Sequence, residues 1–252
     1  MTKHCAGKNA VVIGGTHGMG RATAEKLIEA GARVLLTGRD ARNVDKARAE
    51  LGPRATVLQS NVAEVHEIDA LAHALRETMA PVHALFVFAA IAEFQPFGEV
   101  SEGSYDRHFA INTKGAFFTV QRLAPCIADE GSITLTTVTP ANAMPGMSVY
   151  LGTKAAVGAF VRGFAVELLP RRIRVNALAP GFIDTPTLGL AGLTPGQRAE
   201  VAAIGDAVTP MQRHGTMEEV ARAALFLGFD ATFTTGVELA VDGGLSTVAG
   251  PR

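Results

Sequence analysis

Tryptophan is absent from this chain of 252 residues, which contains only two cysteines and two tyrosines. Two scattered cysteines, Cys5 and Cys126, do not make a disulfide framework, and no Cys or His spacing typical of a metal site occurs. We therefore expect no metal and a reducing compartment, with the cytoplasm as the default. An apolar stretch, Ala10–Ile13, comes too early for a secretory signal peptide.

An excess of charge of either sign is also lacking, because 23 Lys and Arg residues face 24 Asp and Glu residues. Nucleic-acid binding needs clustered basic residues, so we expect no nucleic-acid partner. The longest apolar run, Ala84–Ala92, is about half of the ~20 residues that span a bilayer, so we expect no membrane association. Repeats and linker-like segments are missing, which predicts a single domain over residues 1–252.

Short apolar runs alternate with longer amphipathic stretches along the chain. Such alternation is typical of βαβ units, and it predicts an α/β fold with a Rossmann-like, doubly wound parallel sheet of about seven strands flanked by helices. The predicted strands are Asn9–Ile13, Arg33–Thr37, Thr56–Gln59, Ala84–Ala89, Ser132–Thr137, Arg174–Leu178 and Val237–Val241. The predicted helices are Gly18–Ala30, Ala41–Glu50, Glu64–Met79, Ser104–Leu123, Val149–Leu169 and Glu218–Leu227.

A glycine-rich loop joins the first strand to the first helix, with the sequence Gly14-Gly15-Thr16-His17-Gly18-Met19-Gly20. Glycines let the backbone approach a pyrophosphate closely, and the helix start offers free N–H groups to phosphates. A glycine-rich turn without a ligand is the alternative. The position of the loop after the first strand favours a dinucleotide.

The end of the second strand carries the signal for the cofactor type. An acidic residue here normally binds the adenosine ribose of NAD, but Gly38 occupies the position and Arg39 follows. Arginine pairs well with a 2′-phosphate, which favours NADP, with NAD still possible. The alternative is a solvated Arg39 at a strand end, with Asp40 capping the next helix.

Tyr150 and Lys154 lie four residues apart on a predicted helix and therefore share one face. A free phenol has a pKa of ~10, and acid–base work near neutrality requires it to fall by about three units. A neighbouring ammonium and an oxidised nicotinamide could lower it. Alone, this spacing is a weak signal, and an exposed pair on a helix surface is the better interpretation.

Together, these motifs resemble the short-chain dehydrogenase/reductase family over nearly the whole chain. The loop matches the family's TGxxxGxG at Gly14, Gly18 and Gly20, Asn112–Phe117 matches NxxGxF, and Arg174–Gly181 contains VNxxxPG. The resemblance implies a nicotinamide-dependent oxidoreductase that interconverts a carbonyl and an alcohol. It implies the catalytic residues Asn112, Thr137, Tyr150 and Lys154. It also implies these cofactor-binding residues: Gly14, Thr16, His17, Gly18, Met19, Gly20, Arg39, Asn61, Val62, Ala89, Ala90, Tyr150, Lys154, Pro180, Gly181, Ile183 and Thr185.

Two departures from the family pattern qualify this resemblance. Thr137 stands where the family usually has serine, and its methyl group is expected to crowd the carbonyl. Its neighbour Thr136 is expected on the opposite face of the strand, with Thr139 as the next candidate hydroxyl. The family's NNAG is replaced by Val87–Ala90, so we expect Phe88 to supply packing in place of the lost asparagine bonds.

The substrate is the least defined part of the prediction. The resemblance places a substrate lid at residues 187–210, where Leu188, Leu190, Leu193, Val201 and Ile204 favour an apolar substrate or form ordinary helix core. Phe94, Met144 and Met147 are further candidates for the pocket wall. The resemblance also implies a homotetramer. A catalytically impaired NADP-binding sensor or scaffold is the alternative function.

Overall fold

The computed structural model describes residues 5–139, 144–186 and 194–248. Within them, a seven-stranded sheet has the order β3-β2-β1-β4-β5-β6-β9, and every neighbouring pair is parallel. The order reverses between β1 and β4, which opens a crevice at the carboxyl ends of the strands. The predicted doubly wound sheet is confirmed. Its strands are β1 (Asn9–Ile13), β2 (Arg33–Gly38), β3 (Ala55–Gln59), β4 (Val82–Val87), β5 (Ile127–Thr136), β6 (Arg174–Pro180) and β9 (Glu238–Val241).

Helices cover both faces of this sheet. They are α1 (Gly18–Glu29), α2 (Ala41–Leu51), α3 (Val65–Thr78), α4 (Glu102–His108), α5 (Ala116–Leu123), α6 (Ser148–Glu167), α7 (Pro195–Val208) and α8 (Met217–Leu225). The first core contains residues of α3, α5 and α6, and the second contains residues of α1, α2 and α8. Two short strands, β7 (Ile183–Asp184) and β8 (Gly215–Thr216), form a separate parallel ladder.

The central strands are buried on both faces because their side chains alternate between the two cores. Val11 and Ile13 of β1 belong to the first core, whereas Ala10 and Val12 belong to the second. All four are at most 1% exposed. This alternation explains why these strands are continuous apolar runs in the sequence.

Three boundaries differ from the predicted ones for identifiable reasons. Strand β4 ends at Val87 rather than Ala89, because the N–H groups of Phe88 and Ala89 both donate to the carbonyl of Ile13. Strand β5 begins at Ile127 rather than at Ser132, although the polar residues Asp129 and Glu130 follow its first residue. The single helix predicted over 104–123 is divided by a π-helical segment, Phe109–Gly115. Wider helical turns of this kind are frequent at functional sites.

Helix α6 is long and apolar enough, by length and composition alone, to cross a membrane. The same features are found in core helices of globular proteins, and one such helix is weak evidence. Val157, Val161 and Phe164 of this helix are buried against the sheet. We therefore interpret α6 as a core helix.

Candidate active site

The glycine loop adopts a conformation that other residues could not share. Gly14 has a φ of +77°, and a Cβ added there would lie 2.6 Å from the amide nitrogen of Ala89. A Cβ at Gly20 would lie 2.2 Å from the carbonyl oxygen of Gly14. Gly18, with a φ of +58°, has no neighbouring atom within 4 Å where its side chain would be. The loop is therefore packed on its inner side and open on its outer side.

The open side of the loop faces the start of α1. His17 is the N-cap residue of this helix, and its side chain makes no capping hydrogen bond. The N–H groups of the first helical turn are thus not capped by this side chain. Such groups, at the positive end of a helix dipole, are a ready site for phosphate.

A long cleft runs from this loop along the carboxyl ends of the strands, with about 1880 Å³ of space including its open mouth. Fourteen of the predicted cofactor residues line it: Gly14, Thr16, His17, Gly18, Met19, Gly20, Arg39, Asn61, Val62, Ala89, Ala90, Tyr150, Lys154 and Thr185. The other three, Pro180, Gly181 and Ile183, instead line an adjoining cavity. Sequence reasoning missed several residues of the cleft wall, among them Thr37, Arg42, Asn43, Ser60 and Ile111.

Buried hydroxyl groups in the cleft wall support a polar ligand. The hydroxyls of Thr37, Ser60 and Thr185 are buried and have no hydrogen-bond partner among the described residues. All three residues line the cleft. A buried unpaired hydroxyl costs about 1–3 kcal/mol, which a ligand with phosphate and ribose oxygens would offset. The residues present therefore fit a dinucleotide.

The end of β2 cannot hold an acidic side chain in this arrangement. A Cβ at Gly38 would lie 2.2 Å from the hydroxyl oxygen of Thr16. Arg39 is exposed beside it, and no ion pair of its guanidinium occurs within the described residues. Arg42 also lines the cleft but faces Asp40 at 3.5 Å. A guanidinium without an ion pair among the described residues therefore lies next to the position that a ribose-binding carboxylate would take.

The predicted catalytic pair lies at the start of α6, where Tyr150 and Lys154 both line the cleft. The Lys154 ammonium donates to the carbonyl oxygen of Thr136 at 2.8 Å, and it lies 5.9 Å from the centre of the Tyr150 ring. Lys154 is thereby held against the end of β5. The predicted pairing of the two side chains on one helix face is confirmed.

Burial displaces the pKa values of this pair in opposite directions. Burial raises the pKa of Tyr150 to about 12 and lowers the pKa of Lys154 to about 8. Burial therefore moves the phenol pKa away from neutrality, opposite to what acid–base work requires. A positive charge beside the phenol favours the phenolate, so a decrease of this pKa would require a neighbouring cation.

Asn112 lies in the π-helical segment, where its side chain is fully engaged. Its Oδ1 accepts from the N–H of Ile91, and its Nδ2 donates to the carbonyl of Ile91 and to the Thr153 hydroxyl. The distances are 2.8, 2.8 and 3.1 Å. Asn112 thus fixes the segment after β4 and connects it to α6. It supplies a brace where the family's asparagines are missing, while Phe88 packs against the second core.

Three threonines lie at or just after the end of β5. Thr136 lines both the cleft and the adjoining cavity, and its backbone carbonyl accepts from the Lys154 ammonium. Thr139, the fallback hydroxyl, is fully buried and donates toward Ala179 and Asp242. Because β5 ends at Thr136, strand alternation alone does not determine where the Thr137 side chain points.

Thr137 itself lines the adjoining cavity. Its hydroxyl donates to the carbonyl of Leu178 at 3.4 Å, which is long for such a bond. Its methyl carbon lies 3.9 Å from where a Cβ of Gly158 would be, so it is directed at α6. The methyl group therefore packs toward α6, and the hydroxyl is weakly held.

The adjoining cavity is mainly apolar and has about 860 Å³ of space including its mouth. Phe94, Met144, Met147 and Val201 line it, as the sequence suggested, together with Leu151 and Phe182. Ile204 of the predicted lid is exposed instead, and Leu188, Leu190 and Leu193 lie outside the described residues. No Arg or Lys is found among its described wall residues.

Helix α7 forms the described part of the predicted lid. Arg198 donates from Nη2 to the carbonyl of Thr185 at 2.8 Å and from Nη1 to the carbonyl of Pro186. Both acceptors line the dinucleotide cleft, whereas Val201 of the same helix lines the apolar cavity. One arginine therefore connects the wall of one space to the wall of the other.

Comparison with known proteins agrees with this geometry. A family profile described as Enoyl-(Acyl carrier protein) reductase matches residues 14–246. A solved structure titled short chain dehydrogenase/reductase family protein superposes with a TM-score of 0.85 at 32% identity, covering 97% of this chain and all of the other. This chain belongs to the short-chain dehydrogenase/reductase family.

Relatives of this short-chain dehydrogenase/reductase are named as enzymes. Oxidoreductase asL5 of Sarocladium schorii is 34% identical, with 96% of this chain and 97% of the relative covered. Galactitol 2-dehydrogenase (L-tagatose-forming) of Cereibacter sphaeroides is 36% identical, with 94% of each covered. The protein is therefore an oxidoreductase of a family that uses NAD or NADP.

Proposed function

We propose that this enzyme uses NADPH to reduce a ketone on a mainly apolar skeleton to a secondary alcohol. One observation carries the proposal: the Tyr150 side chain lines both the dinucleotide cleft and the apolar cavity. A carbonyl in the cavity and a nicotinamide in the cleft would both meet this phenol. The relative that forms L-tagatose from galactitol also interconverts an alcohol and a ketone.

The residues at this junction have complementary tasks in the reduction. A bound nicotinamide supplies the hydride. Tyr150 donates its phenolic proton to the carbonyl oxygen, and the same group accepts a proton in the reverse reaction. The Thr137 hydroxyl turns from Leu178 to the carbonyl oxygen and stabilises its developing charge. Lys154 binds ribose hydroxyls and, as an ammonium, lowers the pKa of Tyr150. Asn112 positions the segment after β4 and α6.

The preference for NADPH rests on the end of β2. Gly38 leaves no carboxylate for ribose hydroxyls, and Thr16 occupies the space that one would need. Arg39 is exposed at the cleft wall and is positioned to pair with a 2′-phosphate. This combination disfavours NAD without forbidding its binding.

We also propose that the enzyme is a cytoplasmic homotetramer. An apolar groove lies between the π-helical segment, α5 and α6, lined by Phe109, Phe117, Phe118 and Phe160. Val166 further along α6 is 72% exposed. Exposed apolar surface of this kind is typical of protein interfaces. The measured molar mass in solution tests the assembly.

The test is a spectrophotometric assay at 340 nm with apolar and polar ketones, using NADPH and NADH in turn. We expect Tyr150→Phe to abolish turnover while NADPH affinity stays nearly unchanged, since the ring volume is kept and the proton is lost. The only other tyrosine, Tyr105, provides a matched control, and Tyr105→Phe should remain active. A Tyr150→Phe enzyme with substantial turnover would contradict the proposal.

The cofactor preference has its own test by titration with NADPH and NADH. Losing one charge-assisted contact costs ~1.5–3 kcal/mol, so Arg39→Ala should weaken NADPH binding about ten- to a hundredfold. NADH binding should hardly change. Arg33→Ala, at the other end of β2, is the control for loss of a positive charge. Equal affinities for the two cofactors in the unchanged enzyme would refute the assignment.

A further inference from the structure

The apolar cavity has one titratable wall residue besides Tyr150 among those described, and it is His214. This residue directly precedes β8 and faces the lid helix α7. Its side chain is only 11% exposed.

The imidazole ring of His214 is held from several sides. Its Nδ1 lies 2.6 Å from Oδ1 of Asp206, a residue of α7. The Phe182 ring packs edge-on at a centroid distance of 5.7 Å. A Cβ at Gly205 would lie 2.6 Å from the Cε1 of His214, so only glycine lets the ring sit against this helix turn.

The contact with Asp206 determines which ring nitrogen carries the proton. The hydrogen bond from His214 lowers the pKa of Asp206, so this carboxylate is ionised near neutral pH and can only accept. Nδ1 is therefore the donor. In the neutral ring, Nε2 then carries a lone pair and acts as an acceptor.

The remaining ring nitrogen has no hydrogen-bond partner within the described parts of the chain. An oriented acceptor in a mainly apolar wall selects ligands with a matching donor, because few well-placed polar groups fix orientation in such pockets. The groups proposed to bind the carbonyl lie on other elements of the wall, with Tyr150 on α6 and Thr137 directly after β5.

We propose that His214 binds a hydroxyl group of the substrate remote from the reacting carbonyl, with Asp206 as the residue that positions its ring. The inference rests on the proposed ketone reduction and narrows its substrate to hydroxylated ketones with an apolar body. Nε2 of His214 accepts a hydrogen bond from this hydroxyl group, while the carbonyl oxygen binds at Tyr150.

The test uses three sets of aryl ketones of increasing length: acetophenone, 4-phenyl-2-butanone and 4-phenylcyclohexanone. Each is compared with its para-hydroxy and para-methoxy derivative, because a methoxy group keeps the oxygen but cannot donate. We expect the unchanged enzyme to show a higher kcat/KM for the hydroxy than for the methoxy member of at least one set. One neutral hydrogen bond predicts a ratio of about tenfold.

Variants then assign this ratio to the proposed residue. We expect His214→Phe and Asp206→Asn to bring the hydroxy-to-methoxy ratio close to one, chiefly through KM, and His214→Gln to keep part of it through its amide oxygen. His66→Phe, at a histidine on α3 that is 78% exposed, should leave the ratio unchanged. A ratio that survives in His214→Phe would overturn the proposal. A preference for para-carboxylate ketones would also overturn it, since Nε2 would then be a donor.

Binding separates this inference from the proposed reaction. Calorimetry with the NADP⁺-bound enzyme compares 4-phenylphenol with 4-methoxybiphenyl, neither of which can be reduced at a carbonyl. Tighter binding of the phenol that disappears in His214→Phe supports the inference even if no ketone is turned over. Ketone turnover without any hydroxyl preference, in either assay, would refute the role of His214 and leave the reductase proposal standing.

Discussion

Replacing Lys154 by an uncharged residue should stabilise the fold and abolish activity. Its pKa is about 8 in the folded protein and 10.5 when unperturbed. Between these values the unfolded chain binds more protons than the folded one, so stability rises with pH from about 8 to about 10.5. At pH 7 the cost of holding the charged ammonium in the fold is about 3 kcal/mol at ~1.36 kcal/mol per pH unit.

Replacing this residue by Met removes that cost but also the hydrogen bond to Thr136, worth about 1 kcal/mol. We expect Lys154→Met to raise the free energy of unfolding of the cofactor-free protein by about 2 kcal/mol at pH 7. The same variant should lose turnover, since we propose that the lysine binds ribose and lowers the pKa of Tyr150. Evolution would then have retained a destabilising residue for its chemistry.

Urea unfolding of both proteins at equal concentration, at pH 7 and pH 9.5, measures this effect. The advantage of the variant should shrink by about 2 kcal/mol between the two pH values, because the unchanged protein sheds its proton in the fold. Tyr150 is common to both proteins, so the onset of its titration in the unfolded chain affects both unfolding free energies alike. Lys46→Met is the matched control, at a lysine of α2 that is 73% exposed. A variant that is less stable at pH 7, or an advantage independent of pH, would refute the reasoning.

Two further substitutions test the remaining catalytic residues. Thr137→Ser should keep activity, whereas Thr137→Val keeps the shape and should lower kcat by ~10²-fold or more, as expected for loss of an oxyanion donor. An active Val variant in the 340 nm assay would exclude a role of this hydroxyl in stabilising the carbonyl oxygen. Asn112→Ala removes the side-chain partners of the N–H and carbonyl of Ile91. We expect a free energy of unfolding about 1–3 kcal/mol lower in urea and a reduced kcat, and an unchanged stability would contradict the bracing role.

Local sequence patterns were sufficient to predict the cofactor side of the site. The glycine loop and the Tyr150–Lys154 pair each lie within a few consecutive residues, on elements whose periodicity is clear. Strand and helix order then brings them to the same edge of the sheet. These parts were predicted because each depends on spacing along one element.

The substrate side was less predictable because it combines residues from separate segments. His214 and Asp206 come from either side of a turn, and neither has a neighbouring motif that indicates a pair. The start of α7 did carry a signal, since Thr194 and Gln197 form a capping box around a proline at the first turn.

The Arg198 contact has a thermodynamic consequence for the order of events during turnover. Its guanidinium donates hydrogen bonds to the carbonyls of Thr185 and Pro186. A movement of α7 away from the apolar cavity would therefore break contacts in the wall of the dinucleotide cleft. Thermodynamic linkage is reciprocal. If a bound cofactor favours the position of α7 against the cavity, then α7 in this position strengthens cofactor binding by the same factor. On this condition, the affinity for the cofactor is highest while substrate occupies the cavity, and the cofactor dissociates after the product.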